Sequence, residues 1–288
     1  MPPVRLGART YDDSARLVMG IVNATPDSFY DRGRAYALAP ALEQVAQMVA
    51  DGADVIDVGG VKAGLGPEVT PVEEIARVEA LVGCVREKHP DVAISVDTWR
   101  AEVARAVLPA GADLVNDAWG SHDPQLAEVA AEFGASLVCT HTGGLTPRTY
   151  TRRVRYPDLV GDVTRFLESL AERAIAAGVS PDRVVLDPGH DFNKNTWHSL
   201  ELTRRLDELV RLGRPVLVAP SNKDFVGETL DLPVGERIEG TMATVAVCAW
   251  QGARIFRVHE VRQARRTVDM VTSIIGDRPP ARVVRTLP

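Results

Sequence analysis

The stretch VAISVDTWRAEVARAVLPAGADLVND at Val92–Asp117 decides the fold. Two nearly continuous apolar, β-branched runs, Val92–Asp97 and Asp113–Asp117, flank Trp99–Ala110, where apolar residues recur every three to four positions. Unbroken apolar runs mark strands buried on both faces of a parallel sheet, and the longer period marks an amphipathic helix. Gly111, just past the helical run, supplies the stop. The stretch therefore predicts one strand–helix–strand unit.

The unit repeats in both directions. Strand-like runs stand at Leu17–Asn23, Asp54–Gly59, Ser136–His141, Arg183–Asp187, Pro215–Ala219 and Arg254–His259. Helical spacing fills Ala37–Asp51, Pro71–Glu87, Asp123–Phe133, Leu159–Gly178, His198–Leu212, Gly235–Gln251 and Val261–Gly276. Eight strands, each followed by a helix with no internal linker, predict an α/β chain folded as a single (β/α)8 TIM barrel over residues 1–288. A loose arm at 1–14 and a loose tail at 277–288 are expected at its ends. A doubly wound open sheet is the alternative, but no G-x-G-x-x-G follows the first strand.

The 288 residues are 45% hydrophobic and carry a net charge of −6, which excludes a disordered chain and gives nucleic acid no electrostatic foothold. No run approaches the roughly 20 apolar residues of a membrane helix, and Met1–Ser14 has no apolar signal core. Cys84, Cys139 and Cys248 are scattered and form no C-x-x-C, so reduced thiols and a cytoplasmic location are expected. Only four of the 33 basic residues are lysines: Lys62, Lys88, Lys194 and Lys223.

In barrels of this kind chemistry sits at the C-terminal strand ends. Those ends present Asn23, Asp57, Asp97, Asn116 with Asp117, His141, Asp187, Lys223 just past the seventh strand, and Arg257 with His259. The carboxylates Asp57, Asp97 and Asp187 with the Asn116 amide suit a planar heterocycle bearing adjacent N–H and NH2 groups. Arg257, His259 and Asn23 suit a phosphate or pyrophosphate. In so lysine-poor a chain, Lys223 reads as a compact point donor; Lys194 follows the same logic more weakly, and Lys62 and Lys88 read as solvated.

These residues resemble the dihydropteroate synthase family. MGIVNATPDSF at Met19–Phe29, DGADVIDVGG at Asp51–Gly60, SVDT at Ser95–Thr98, AGADLVNDAWG at Ala110–Gly120, LDPG at Leu186–Gly189, Ser221 with Lys223, and RVHEV at Arg257–Val261 are similar to its signatures, in its order. The resemblance implies a cytoplasmic homodimer of folate biosynthesis that displaces pyrophosphate from a dihydropterin pyrophosphate with the amine of p-aminobenzoate. It implies pterin binding by Asp97, Asn116, Asp187 and Lys223, and pyrophosphate binding by Asn23, Arg257 and His259. It further implies Mg2+ at Asn23, a p-aminobenzoate or sulfone pocket at Phe192 and Lys223, and catalytic roles for Lys223 and Asp57.

The departures cluster at the chemistry. Where the family reads roughly G-G-E-S-T-R-P-G, this chain reads Gly59-Gly60-Val61-Lys62-Ala63-Gly64-Leu65-Gly66. Where it has a glycine and then S-R-K-S, this chain has Ala219-Pro220-Ser221-Asn222-Lys223-Asp224. His190, Asp191 and Asn193 surround Phe192 in place of small residues, Tyr30 and Arg32 alter the first loop, and Thr140-His141-Thr142 lacks the family's methionine. Each lost contact costs about 1–3 kcal/mol of discrimination, so the reading is a divergent paralogue with weak or no synthase activity. Its alternatives are a fully active synthase, a binding barrel with a regulatory protein partner, and a different transferase on the same scaffold.

Overall fold

The computed structural model describes residues 3–24, 34–62, 64, 66–149 and 155–285. Tyr30, Arg32, Ala63 and Leu65 of the remodelled loops lie outside the described residues.

Eight parallel strands form the barrel: β3 (Leu17–Asn23), β4 (Val55–Gly59), β5 (Ala93–Asp97), β6 (Leu114–Asp117), β7 (Ser136–Thr140), β8 (Val184–Asp187), β9 (Leu217–Val218) and β10 (Ile255–Val258). They lie in the order β8-β7-β6-β5-β4-β3-β10-β9. A parallel bridge between Leu186 and Val216, with Leu186 N–H donating to the Pro215 carbonyl at 2.9 Å, links the two outer strands and closes the ring. The seventh barrel strand is shorter than its sequence implies. Only Leu217 and Val218 pair as strand, because Pro215 has no N–H to donate and Pro220 stops the run.

Side chains alternate across a strand, and this parity makes both the core and the site. Leu17, Met19, Val55, Ala93, Leu114, Val138, Val185, Leu217 and Ile255 point inward and fill the foot of the barrel. Their neighbours, among them Val18, Ile56, Ile94, Val115, Val184 and Phe256, pack outward against the helices.

The arm expected to be loose is ordered from Val4. Strands β1 (Val4–Leu6) and β2 (Arg9–Tyr11) form an antiparallel hairpin whose Val4 and Leu6 are fully buried in the foot. Covering each such side chain is worth about 1.5–3 kcal/mol, enough to hold a short hairpin in place. Gly7 turns it at φ +55°, where a Cβ would stand 2.8 Å from the Asp113 carboxylate. Arg9 pairs with Asp113 at 2.7 Å and Arg5 with Asp182 at 2.6 Å. The start of the tail is pinned too: Asp277 meets Arg16 at 3.3 Å, and Arg278 meets Asp269 at 3.3 Å.

The helices follow the sequence reading with local shifts. The expected His198–Leu212 helix is two pieces, Thr196–Arg204 and Leu206–Val210, and the first begins earlier because Asn195 and His198 form a reciprocal cap. A short helix, Asp224–Leu230, follows Lys223, and the next starts at Ile238.

Candidate functional site at the barrel mouth

Two residues above the apolar plug, the same inward parity places polar groups. Val55 is followed by Asp57, Ala93 by Ser95, Leu114 by Asn116, Val185 by Asp187 and Ile255 by Arg257. Ala219, two residues beyond Leu217, puts a methyl into the same ring. Asp117 has the opposite parity and does not join them. Its carboxylate accepts from the Trp119 N–H at 2.9 Å and the Ser121 N–H at 2.6 Å, and burial raises it to about 6.

Arg257 organises the ring. Its Nε donates to Asp57 Oδ2 at 2.6 Å and its Nη2 to Asp97 Oδ2 at 2.8 Å. Asp57, fully buried, also accepts from Ser95 Oγ at 2.5 Å and from the Asn116 amide at 3.4 Å. Burial would lower the guanidinium, but the two carboxylates outweigh it and hold it charged. Burial lifts Asp97 to about 7, with Arg257 opposing and Asp57 adding to the rise. Asp187 is also raised by burial, although its Oδ1 accepts from the Gly189 N–H at 2.7 Å.

Lys223 and His259 complete one side. The Lys223 ammonium donates to the His190 carbonyl at 3.0 Å and lies 4.8 Å from the centre of the Phe192 ring. Burial lowers its pKa, while Asp191 and then Asp187 draw it back up. His259 Nδ1 is 2.9 Å from Ser221 Oγ, which also donates to Glu260 at 3.1 Å; burial keeps the imidazole below its ordinary value. Asn23 ends β3 exposed at the rim, one residue before Ala24, whose N–H donates to the Gly59 carbonyl at 2.8 Å. The mouth therefore gathers Asp57, Ser95, Asn116, Asp187 and Arg257 on one inward ring, with Asp97 bound to Arg257 above it and Lys223, Asn23, His259 and Phe192 at the rim.

Sequence reasoning undervalued Lys194. It is buried, and its Nζ meets His141 Nδ1 at 2.7 Å and the carbonyls of Phe192, Gly189 and His141 at 3.0, 3.0 and 3.2 Å. Its scarcity was the one signal pointing to it. His141, at the end of the fifth barrel strand, faces this lysine, and burial with the nearby ammonium lowers it to about 3. The aromatic wall also escaped notice: Trp99, Trp119 and Leu145 are buried together against Val61, Ala118 and Phe192.

One metal fit can be judged from the side chains. Asn23 offers a single amide oxygen, and the described residues hold no cluster of three or more His, Cys, Asp or Glu able to cage an ion. A Mg2+ here would therefore be carried mostly by a diphosphate and water, with Asn23 as one protein ligand. No helix among the described residues is long and apolar enough to cross a membrane.

Comparison with known proteins agrees with this architecture. The family described as pterin binding enzyme matches residues 19–259. An inactive dihydropteroate synthase 2 of Mycobacterium leprae is 56% identical over 276 residues, covering 94% of this chain and 95% of that protein. A dihydropteroate synthase of a Synechocystis species is 42% identical over 264 residues, covering 90% and 91%. The Yersinia pestis dihydropteroate synthase, solved with a sulfonamide drug, superposes with a TM-score of 0.88 at 36% identity, covering 96% of this chain and all of that one. With eight strands, a polar inward ring and these likenesses, the chain belongs to the pterin-binding enzyme family as a dihydropteroate-synthase-like barrel.

Proposed function

We propose that this chain binds a dihydropterin pyrophosphate at the barrel mouth but has weak or no dihydropteroate synthase turnover. The observation that carries this is the setting of Lys223. Its ammonium is engaged by the His190 carbonyl and the Phe192 ring, and Asp191 is the strongest attractive charge acting on it. Asp191 stands where the resemblance places a small residue, so its carboxylate draws the lysine toward the turn that follows β8 and away from a ligand. Ala219 narrows the same floor.

In this reading Asp97, Asn116 and Asp187 hold the pterin ring with Lys223, and Asn23, Arg257 and His259 receive the pyrophosphate. Phe192 walls the p-aminobenzoate pocket, and Lys223 with Asp57 would serve the displacement. Pyrophosphate, with any Mg2+ at Asn23, must compete for an Arg257 already spanning Asp57 and Asp97. The 56% identity to proteins named inactive, against 42% to a named synthase, supports the same side.

The test is pyrophosphate release with dihydropterin pyrophosphate, p-aminobenzoate and Mg2+ supplied, alongside calorimetric binding of the first. Binding with release no greater than that of Lys223→Ala is expected. Release far above that control makes the chain an active synthase, a reading favoured by the intact Asp97–Asn116–Asp187 set.

We also infer a homodimer. Val247 and Trp250 on the helix Ile238–Trp250, and Met270 and Ile274 on the adjoining helix Val261–Ile275, expose large apolar side chains suited to a second copy. Sedimentation of the protein and of Trp250→Glu tests it, with a monomeric variant expected.

A further inference from the structure

We propose that Thr140 is a ligand-contacting residue of this mouth: its hydroxyl, left without a partner in the free chain, hydrogen-bonds the heterocycle seated between Asn116 and Asp187. The inference rests on the pterin reading and adds a contact that the methionine of the resemblance does not make.

Thr140 ends β7, two residues beyond Val138, whose side chain belongs to the apolar foot of the barrel. The same parity turns Thr140 inward, onto the ring that carries Asn116 on β6 and Asp187 on β8. Thr140 is the register partner of Asp187, as Val138 is of Asn116. Its strand therefore lies between the two groups that would hold a planar ring.

The other polar side chains of this ring are all engaged. Ser95 donates to Asp57 at 2.5 Å, and the Asn116 amide reaches the same carboxylate at 3.4 Å. Arg257 donates to Asp57 at 2.6 Å, and Asp187 accepts from the Gly189 N–H at 2.7 Å. Thr140 is 1% exposed, and among the described residues its Oγ1 has no hydrogen-bond partner. A buried hydroxyl left unpaired costs stability, and a ligand that pairs with it recovers that cost.

The chemistry of the exchange points the same way. The residue before His141 is methionine in the resemblance, and a thioether is only a weak acceptor, whereas a hydroxyl both donates and accepts. Valine would give nearly the same shape without burying a polar atom. The ligand class that follows is a bicyclic heterocycle with a ring nitrogen, an N–H or a carbonyl on the edge facing β7. A C–H at that edge leaves the hydroxyl unpaired.

The experiment measures calorimetric binding of dihydropterin pyrophosphate with Mg2+, and thermal unfolding without ligand, for the wild-type chain, Thr140→Val and Thr140→Ser. Thr140→Val is expected to bind about tenfold more weakly. It is also expected to melt about 2–4 °C higher, because the unpaired hydroxyl is gone. Thr140→Ser keeps the hydroxyl and is expected to bind within about threefold of wild type. Opposite signs in affinity and stability mark a group reserved for a ligand, whereas a packing role lowers both. Thr140→Val binding as tightly as wild type, or melting no higher, overturns the inference and leaves the pterin reading standing. Equal losses of affinity in Thr140→Ser and Thr140→Val assign the effect to the methyl group and overturn it too. A wild-type chain that does not bind dihydropterin pyrophosphate overturns both the inference and the pterin reading.

Discussion

The Lys194 ammonium lies 2.7 Å from Nδ1 of His141, and both side chains are buried beneath the mouth. The same nitrogen gathers the carbonyls of His141, Gly189 and Phe192, so one buried amine, its pKa lowered by burial to about 7, ties the end of β7 to the turn that follows β8. That turn carries Phe192 and leads on from Asp187. Replacing the lysine leaves buried carbonyls without a donor, at about 1–3 kcal/mol for each such group. Lys194→Met is therefore expected to lose about 3 kcal/mol in urea unfolding, with the midpoint lowered and the m-value unchanged.

Removing Arg257 is expected to cost more than neutralising its partner Asp97. Arg257→Ala leaves Asp57, fully buried, and Asp97 without their cation, and an uncompensated buried charge costs about 3–5 kcal/mol. Asp97→Asn keeps a neutral isostere and the Asp57 pair, so its loss is smaller. Denaturant melts of the two variants check the ranking.

Asp97 makes stability fall as pH rises. Its folded pKa is raised to about 7 from 3.8, so between those values the folded chain holds more proton than the unfolded one. The stabilisation is whole below about pH 4 and is lost as pH climbs through 7. Asp97→Asn is expected to flatten this part of the profile, so the difference between variant and wild-type melting temperatures shifts in the variant's favour from pH 4 to pH 7. A parallel pair of profiles would exclude this group as the cause.

The hairpin is expected to act as a structural plug. Leu6→Ala empties a fully buried position in the foot and is expected to cost about 2–5 kcal/mol. Thr10→Ala, on the half-exposed strand β2, should change stability by less than about 0.5 kcal/mol. Thermal melts of the two variants separate a plug from a loose arm.

Much of the barrel was legible because strand parity is a local property. Asp57, Asn116, Asp187 and Arg257 each stand two residues after an apolar side chain, and the sequence displays that spacing. Ser95 obeys the same parity but lay inside a motif and was assigned no role. The hairpin escaped because Val4–Leu6 and Arg9–Tyr11 are three residues each, too short for a period, and their value depends on a cavity built by strands far along the chain. Lys194 escaped for a related reason: three of its partners are backbone carbonyls, which every residue possesses. Trp119 shows the limit most plainly, since an indole after a strand reads as core until its contact with Phe192 is seen.

The seam at the foot of the barrel has a consequence for how the chain folds. Arg254 donates to the carbonyl of Asp12, 242 positions away, and the Leu17 N–H donates to the Arg254 carbonyl. β10 then pairs with β3, and Arg16 meets Asp277. Val4 and Leu6 therefore find their full cover only when β10 has arrived. Until then, early-made apolar side chains stand bare, and so large a sequence separation makes the closing step slow. A refolding yield lowered alike by lesions in β10 and in the hairpin is the expected signature of so late a seal.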